Sequence, residues 1–258
     1  MTLLEVDDVT LRFGRVAALD GVSFTVAAGE FLAVIGPNGA GKSSLFNVLS
    51  RVYRPSSGAV RLAGEDLLAL PARALAGRGV ARSFQNLGLF GHLTALENVL
   101  VGRHHLMRAG VLAGGVMLGR ARSEERTHRA AAREALAFVD AESAADTPVA
   151  VLPYGVQKRV ELARCLAMEP RLLLLDEPVA GMDQGERAEI TDLIHRLHAE
   201  RALTVVLVEH DMGMVMRVAA RIVVLDFGHV MASGAPAEVQ ADERVIRAYL
   251  GEPVEVAS

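Results

Sequence analysis

The sequence contains a single cysteine, Cys165, and only two lysines, Lys42 and Lys158, among its 27 basic residues. One cysteine excludes an internal disulfide and favours a reducing compartment. Cys165 falls in a segment with helical periodicity, so we expect a buried, structural thiol. Because lysine is so rare here, a lysine at a special position is more informative than an arginine.

Long apolar runs are also missing. The longest, residues 111–118, is broken by glycine, whereas a helix needs about 20 apolar residues to cross a bilayer. The first residues, MTLLEVDDVT, are acidic and alternating, unlike a signal peptide. The net charge of −4 does not indicate a generally basic surface of the kind that binds nucleic acid. We expect a cytoplasmic protein that is soluble or peripheral to a membrane.

The order of apolar segments indicates an α/β fold. Continuous apolar runs predict buried strands, and one helix is predicted between the last two of them. Such alternation predicts a parallel sheet with right-handed crossovers. The first residues predict an antiparallel β region, and the last strands predict a hairpin. The predicted strands are 3–13, 22–27, 31–36, 58–64, 171–176, 203–209 and the hairpin 221–234; the predicted helices here are 43–51 and 184–201.

The middle of the chain has a different pattern. Helices are predicted over 93–101 and 123–139, separated by the glycine-rich stretch 109–119, and Ser123 is predicted to cap the second helix. We therefore expect one domain over residues 1–258. Residues 1–85 and 169–250 would form the core, 86–168 an inserted α-helical subdomain, and 251–258 a loose tail.

A phosphate-binding motif follows the strand at 31–36. The segment matches G-x-x-x-x-G-K-[ST] and stands between a buried strand and a helix, which is the required context. Glycines let the loop turn its N–H groups toward phosphate oxygens. Lys42 would reach the β- and γ-phosphates and Ser43 would bind Mg²⁺; the alternative is a tight turn with a chance lysine. The predicted binding residues are Gly36, Pro37, Asn38, Gly39, Ala40, Gly41, Lys42, Ser43 and Ser44.

Two acids end the buried strand 171–176. Burying Asp176 and placing Glu177 beside it is costly unless the carboxylates have a ligand at the strand's carboxyl end, where α/β sheets bind ligands. Asp176 would hold Mg²⁺ and Glu177 would polarise an attacking water. The alternative is that the pair caps a helix. Together with the loop, these acids predict a P-loop (RecA-like) nucleotide hydrolase.

Four further elements make the chain resemble the ATP-binding cassette (ABC) ATPases over nearly its whole length. Gln85, in "ARSFQNLGLF", is placed as that family's Q-loop glutamine, which senses Mg²⁺ or the water. Asp183, in "PVAGMD", resembles the D-loop aspartate, and His210, in "VLVEHDM", the switch histidine that donates to the γ-phosphate. Phe13 stands where the family stacks an aromatic on adenine, although it could equally be a core residue.

The stretch "LPYGVQKR" falls where the family carries its LSGGQ signature, which completes the nucleotide site of a second cassette. Pro153 replaces the serine, so one hydroxyl and one N–H are lost. Tyr154 and Gly155 occupy the two glycine positions, and a helix from Val156 would still present its N-terminus to the ligand. We hypothesise that the signature binds the anion through Gly155 and this helix end.

Five further features of the sequence are similar to those of one ABC subfamily, the ATPases of branched-chain (hydrophobic) amino acid importers. They are the Tyr154-Gly155 pair, "FQNLGLF", the extended segment 102–122, "EHDMGMVM" and "VIRAYLGE". The resemblance implies ATP and Mg²⁺ as cofactors and two transmembrane permeases and a second ABC ATPase as partners. It also implies a position on the cytoplasmic face of the inner membrane. ATPases of urea or amide importers and of lipopolysaccharide exporters remain alternatives.

Residues 86–92 are the candidate permease-docking surface, because Leu87, Leu89 and Phe90 would form an apolar patch. The alternative is that these side chains pack internally. Two other classes of function fit the residues less well. A cassette acting on the ribosome or on DNA usually carries a second cassette or long helical arms, which 258 residues leave no room for. A non-catalytic regulator would not need Glu177 and His210.

Overall fold

The computed structural model describes residues 1–83, 87–107 and 119–250, which form two compact units. The first unit contains residues 1–72, 174–177 and the chain from residue 195 onward; the second contains residues 73–173 and 178–194. Strands and helices occur in both, so the predicted α/β class is confirmed.

The strands and helices are numbered here in chain order within the described residues. The strands are β1 (Thr2–Phe13), β2 (Val16–Ala27), β3 (Phe31–Ile35), β4 (Ser57–Leu62), β5 (Glu65–Asp66), β6 (Val80–Arg82), β7 (Leu172–Asp176), β8 (Thr204–Val208), β9 (Arg221–Asp226) and β10 (His229–Gly234). The helices are α1 (Lys42–Leu49), α2 (Ala95–Gly102), α3 (Gly119–Phe138), α4 (Tyr154–Ala167), α5 (Gln184–Arg201), α6 (Met212–Val218), α7 (Pro236–Ala241) and α8 (Glu243–Leu250). Single 3₁₀ turns cover Leu67–Ala69, Ala72–Ala74, Ala76–Arg78, His104–Leu106, Glu142–Ala144 and Val149–Val151.

An antiparallel sheet in the first unit has the strand order β2-β1-β4-β5. Its strands alternate between buried apolar and exposed polar residues, because successive side chains point to opposite faces. In β2, Val22, Phe24 and Val26 are buried. The predicted antiparallel region is thus confirmed, although β2 begins at Val16 and is longer than the predicted 22–27.

A second sheet in the first unit follows the order β10-β9-β3-β8-β7. Strand β3 is parallel to β8 and β9, with Leu32 opposite Val206. Every residue of β3 and β8 is buried, as expected of strands covered on both faces. Because the strands are parallel, β3 and β8 end at the same edge of the sheet. The predicted hairpin is confirmed by the antiparallel pairing of β9 and β10.

The second unit is mainly helical, with α2, α3 and α4 packed together. Their contacts bury Val99, Leu136 and Val160 completely. Thr94 caps α2 and exchanges hydrogen bonds with Glu97, so this helix begins two residues later than predicted. The glycine-rich stretch 109–119 lies outside the described residues except for its last position.

Two further predicted helix starts are wrong. Ser123 does not cap α3, because the helix begins at Gly119 and the Ser123 carbonyl accepts a hydrogen bond from the Thr127 hydroxyl. The signature helix α4 begins at Tyr154, with Pro153 as its N-cap, and not at Val156. A proline fits there because its fixed φ is compatible with a helix start and its missing N–H would have no helical partner.

In the ranges 1–83, 87–107 and 119–250, no helix is both long and apolar enough to cross a membrane.

Candidate nucleotide-binding site

The phosphate loop joins β3 to α1 in the first unit. The Lys42 ammonium donates hydrogen bonds to the carbonyl oxygens of Gly36 at 2.6 Å and Pro37 at 3.0 Å, so the side chain folds back over the loop. Gly41, with φ of 105°, precedes the helix without any side-chain cap. The first N–H groups of α1 therefore have no competing side chain in the cap position, which suits an anion at this helix end.

The back of the loop is in contact with the turn between β9 and β10. The Gly228 N–H donates to the Ala40 carbonyl at 3.0 Å, and the Gly228 carbonyl accepts from the Asp20 N–H at 2.9 Å. A side chain at Gly36 would collide with the Leu225 carbonyl. The glycine at position 36 is therefore required by packing as well as by its backbone conformation.

The Lys42 side chain is buried beside an acidic group. The pKa of the Lys42 ammonium is lowered by burial, and the negative charge of Glu177 reverses only part of this shift. Desolvation thus outweighs the attraction of the carboxylate. An anionic ligand at this position would restore favourable interactions to a partly desolvated cation.

The two acids predicted at the end of β7 lie at the carboxyl edge of the sheet. Asp176 is the last residue of β7 and is buried. Glu177 adopts a left-handed conformation, with φ of 46°, and its N–H donates to the Val208 carbonyl at 2.9 Å. That bond connects the ends of β7 and β8.

His210 lies beside Glu177. Its Nδ1 atom is 3.8 Å from Glu177 Oε1 and 3.7 Å from Glu209 Oε2, and its side chain is largely exposed. The structure therefore places the predicted histidine and the predicted base within reach of one another. Glu209 is fully buried, and sequence reasoning missed it. The signal was available, since an acid directly after the buried run of β8 has the same pattern as Asp176.

The Phe13 ring is half exposed, with 49% of its surface accessible, so the alternative of a core residue is wrong. Its neighbour is Tyr53, whose ring centroid lies 5.3 Å away in an edge-to-face arrangement. Such geometry is favourable for aromatic pairs. Tyr53 was not predicted, because it lies 40 residues away in a loop after α1.

Two side chains with oxygen atoms are the candidate ligands for a metal ion. Ser43 is exposed at the start of α1, and Asp176 is buried at the end of β7. The described residues contain no group of three or more His, Cys, Asp or Glu side chains arranged for a metal. Mg²⁺ in phosphate sites usually takes one or two protein oxygens together with water and phosphate. This sparse donor set therefore fits a nucleotide-bound Mg²⁺. Gln85, also predicted to bind Mg²⁺ and to act in catalysis, lies outside the described residues.

The signature residues belong to the second unit. The Tyr154 hydroxyl donates to the Ala180 carbonyl at 3.3 Å, and Gly155 lies in the first turn of α4. Asp183 lies just before α5, where its carboxylate accepts from the Glu186 N–H at 2.9 Å. The signature tyrosine is thus hydrogen-bonded to the "PVAG" segment that precedes Asp183.

The predicted docking segment is fixed by two buried polar side chains. Asn98 accepts from the Phe90 N–H at 2.8 Å and donates to the Phe90 carbonyl at 3.0 Å. Arg164 donates to the carbonyls of Leu87 at 3.1 Å and Gly88 at 2.5 Å. Phe90 is exposed, whereas Leu87 is partly buried. Leu89 is also partly buried, so the apolar patch is smaller than predicted.

Comparison with known families agrees with this geometry. Residues 19–180 match the family described as ABC transporter. Residues 229–255 match the family described as branched-chain amino acid ATP-binding cassette transporter. The first match covers more than half of the sequence. The chain belongs to the ABC transporter family.

Its similar relatives include named transport proteins. The chain is 41% identical over 250 residues to the high-affinity branched-chain amino acid transport ATP-binding protein BraF of Pseudomonas aeruginosa, covering 97% of this chain and 98% of that protein. It is 38% identical over 253 residues to LivG of Escherichia coli, a protein of the same description, with the same coverage.

Solved structures of cassettes are similar over most of the chain. The ADP conformation of MJ1267, an ATP-binding cassette of an ABC transporter, has a TM-score of 0.83 and 29% identity, covering 98% of this chain and all of that one. A dimeric post-hydrolysis state of the cassette MJ0796, bound to ADP and Pi, has a TM-score of 0.76 at 28% identity. The latter covers 91% of this chain and 99% of that one.

Proposed function

We propose that the protein is the ATP-hydrolysing subunit of a membrane importer for branched-chain or other hydrophobic amino acids. The observation that carries the hydrolytic role is the placement of Glu177 and His210, 3.8 Å apart, at the edge of the sheet where the phosphate loop begins. The cargo assignment is supported by the two relatives named for branched-chain amino acid transport and by the match of residues 229–255.

In the proposed reaction, the phosphate loop binds the nucleotide through the N–H groups at the start of α1. Lys42, whose ammonium already lies over the loop, interacts with the β- and γ-phosphates. Phe13 stacks on the adenine with its exposed ring face. Glu177 accepts a proton from the attacking water, and His210 donates a hydrogen bond to the γ-phosphate.

Mg²⁺ is proposed as the second cofactor, held by Ser43 and Asp176 and, by family resemblance, Gln85. When bound, it would neutralise charge on the phosphate oxygens. Ser43 is accessible for this purpose, and Asp176 supplies the hard anionic oxygen that Mg²⁺ prefers.

The proposed partners are a second ABC ATPase and two transmembrane permeases, which would place the protein on the cytoplasmic face of the inner membrane. Solved dimeric cassettes support the pairing. The second cassette's nucleotide would meet the start of α4, where Tyr154 and Gly155 occupy the first turn. Asp183 would lie at the same contact. Gly155 and the backbone of this turn replace the hydroxyl that Pro153 lacks.

We also propose that residues 1–258 form a single ABC ATPase domain. Residues 1–85 and 169–250 would act as the nucleotide-binding core, and 86–168 as the helical part that responds to nucleotide. The alternative cargoes, urea or amides and lipopolysaccharide, gain no support from the relatives described above.

The test of hydrolysis is Glu177→Gln. The variant should bind ATP and form a stable dimer but lose turnover, because an amide cannot accept the proton. Glu125→Gln is the matched control, since Glu125 is an exposed glutamate paired with Arg129 on α3. Undiminished ATP hydrolysis in Glu177→Gln would show that another group is the base.

The test of cargo uses proteoliposomes containing this protein with the permeases from its own cell and their binding protein. ATP-dependent uptake of radiolabelled leucine, isoleucine and valine is compared with that of urea. Uptake of urea without uptake of leucine would overturn the cargo assignment while leaving the ATPase assignment intact.

A further inference from the structure

Glu209 is a fully buried carboxylate that the proposed mechanism does not use. It follows β8 directly, and none of its surface is exposed. Its Oε2 atom accepts hydrogen bonds from the N–H groups of His210 at 2.9 Å and Asp211 at 3.1 Å. Burying a carboxylate is costly, and charge-assisted bonds of this kind offset part of that cost. Glu209 lies at the carboxyl edge of the sheet, where ligands bind in α/β folds, so we expect this buried acid to have a functional role.

Two of the contacts of the Glu209 carboxylate are with His210. Glu209 Oε2 binds the backbone N–H of His210 and lies 3.7 Å from its imidazole Nδ1. The histidine side chain is 61% exposed, so packing does little to fix the orientation of the ring. The one other acid recorded near Nδ1 within the described residues is Glu177, at 3.8 Å.

The residue after His210 is fixed as well. Asp211 donates its N–H to Glu209 and accepts, through its own side chain, a hydrogen bond from the Met214 N–H at 3.0 Å. That second bond caps α6. The backbone on both sides of the His210 side chain is therefore held, by Glu209 on the strand side and by the start of α6 on the other.

We propose that Glu209 is a positioning residue for ATP hydrolysis, which holds the His210 backbone and attracts its imidazole so that the ring faces Glu177 and the γ-phosphate. This inference rests on the proposed function, because it assumes that His210 acts in hydrolysis. Glu209 itself touches no nucleotide in this scheme and acts through His210 alone. Its carboxylate accepts hydrogen bonds from the backbone and places a negative charge beside the ring. A neutral amide or hydroxyl supplies no such charge.

The first measurement compares Glu209→Gln with the parent protein. Glutamine keeps the shape and one acceptor oxygen but removes the charge. We expect ATP affinity, measured at equilibrium, to change by less than about twofold, whereas the single-turnover hydrolysis rate falls roughly tenfold, the size of effect expected for a lost charge-assisted contact. An unchanged hydrolysis rate overturns the proposal. Equal losses of affinity and rate would also overturn it, because they indicate general damage to the site.

The second measurement is a double-mutant cycle with His210→Ala, in single-turnover conditions so that slow rates are measurable. If Glu209 acts through His210, Glu209→Gln should slow the His210→Ala protein by less than about twofold, because coupled residues are not additive. A tenfold loss in both backgrounds means that Glu209 has a merely structural role. If Glu209→Gln does not fold, Glu209→Asp, which keeps the charge on a shorter side chain, enters the same cycle and is judged by the same two outcomes.

Glu177→Gln separates failure of this inference from failure of the proposed function. Loss of hydrolysis in Glu177→Gln with normal hydrolysis in Glu209→Gln rejects only the role of Glu209. Normal hydrolysis in Glu177→Gln rejects the proposed base, whatever Glu209 does.

Discussion

Gly228 donates its N–H to the carbonyl oxygen of Ala40 across 3.0 Å, so the turn between β9 and β10 supports the phosphate loop from behind. Gly228 has φ of 83°, and a Cβ atom there would lie 3.1 Å from the Ala18 carbonyl. We predict that Gly228→Ala weakens ATP binding, because the turn must shift and the loop shifts with it. A left-handed alanine also costs about 1–2 kcal/mol of stability.

Gly64 provides the matched control. Its φ is 84°, nearly the same, but a Cβ atom there would have no neighbour within 4 Å. Gly64→Ala should lose similar stability in chemical unfolding while binding ATP normally. If both variants bind ATP equally well, the turn does not support the loop.

Phe13→Ala should weaken ATP binding by roughly fivefold, since an aromatic stacking contact contributes about 1 kcal/mol. Inorganic tripolyphosphate, which has no base, should bind both proteins with the same affinity. The control is Phe90→Ala, because Phe90 is similarly exposed, at 47%, and belongs to the second unit. Equal losses for ATP and tripolyphosphate would mean that Phe13 does not contact the base.

Gly155→Asp should prevent ATP-dependent pairing of Glu177→Gln cassettes, measured by size-exclusion chromatography. The new carboxylate would repel the partner's phosphates, and its Cβ would lie 3.2 Å from a Glu186 carboxylate oxygen. An acid in the first turn of a helix interacts favourably with the helix dipole, whereas the neighbouring Glu186 carboxylate opposes the new charge, so the folding of the variant is checked by circular dichroism. Gly77→Asp, at a glycine with open space around it, is the control. Normal pairing of Gly155→Asp would reject the proposed signature.

Phe90→Asp should abolish transport in the assembled importer while the isolated cassette still hydrolyses ATP. Phe90 is 47% exposed, and its backbone is held by Asn98 rather than by its own ring. The control is Val101→Asp, at a valine of similar exposure on α2. If Phe90→Asp fails to fold, the ring is part of the core and the alternative of internal packing is favoured.

Cys165 should not react with maleimide in the native protein and should react fully in denaturant. Burial raises the pKa of this thiol to about 12, so almost no thiolate exists at neutral pH. Reaction is followed by mass spectrometry. Rapid native labelling would show that α4 opens frequently.

Short-range patterns predicted much of the fold and the phosphate site. Helix α5 has the predicted bounds 184–201, and β7 was recognisable because a run of leucines ends in two acids. These features depend on neighbours along the chain and on what a buried strand can tolerate. The role of the phosphate-loop lysine could be predicted from the glycines beside it and the strand before it.

Long-range contacts could not be predicted in the same way. Tyr53 and Phe13 are distant in sequence, and nothing local indicates that Arg164 binds the carbonyls of Leu87 and Gly88. The predictions of helix starts were wrong for a different reason. Ser123 is followed by two acids, as an N-cap often is, yet the helix continues through it, because preceding residues that form helix well can override a cap signal.

The burial of Cys165 has a consequence for spectroscopy. Since it is the only cysteine of the sequence and is shielded inside α4, new cysteines can be added without removing the native one. A pair at exposed positions, such as Val151 in the second unit and Phe227 in the first, would carry two dyes or spin labels with little background. The distance between them, followed as ATP is added and hydrolysed, would test whether the two units move during turnover.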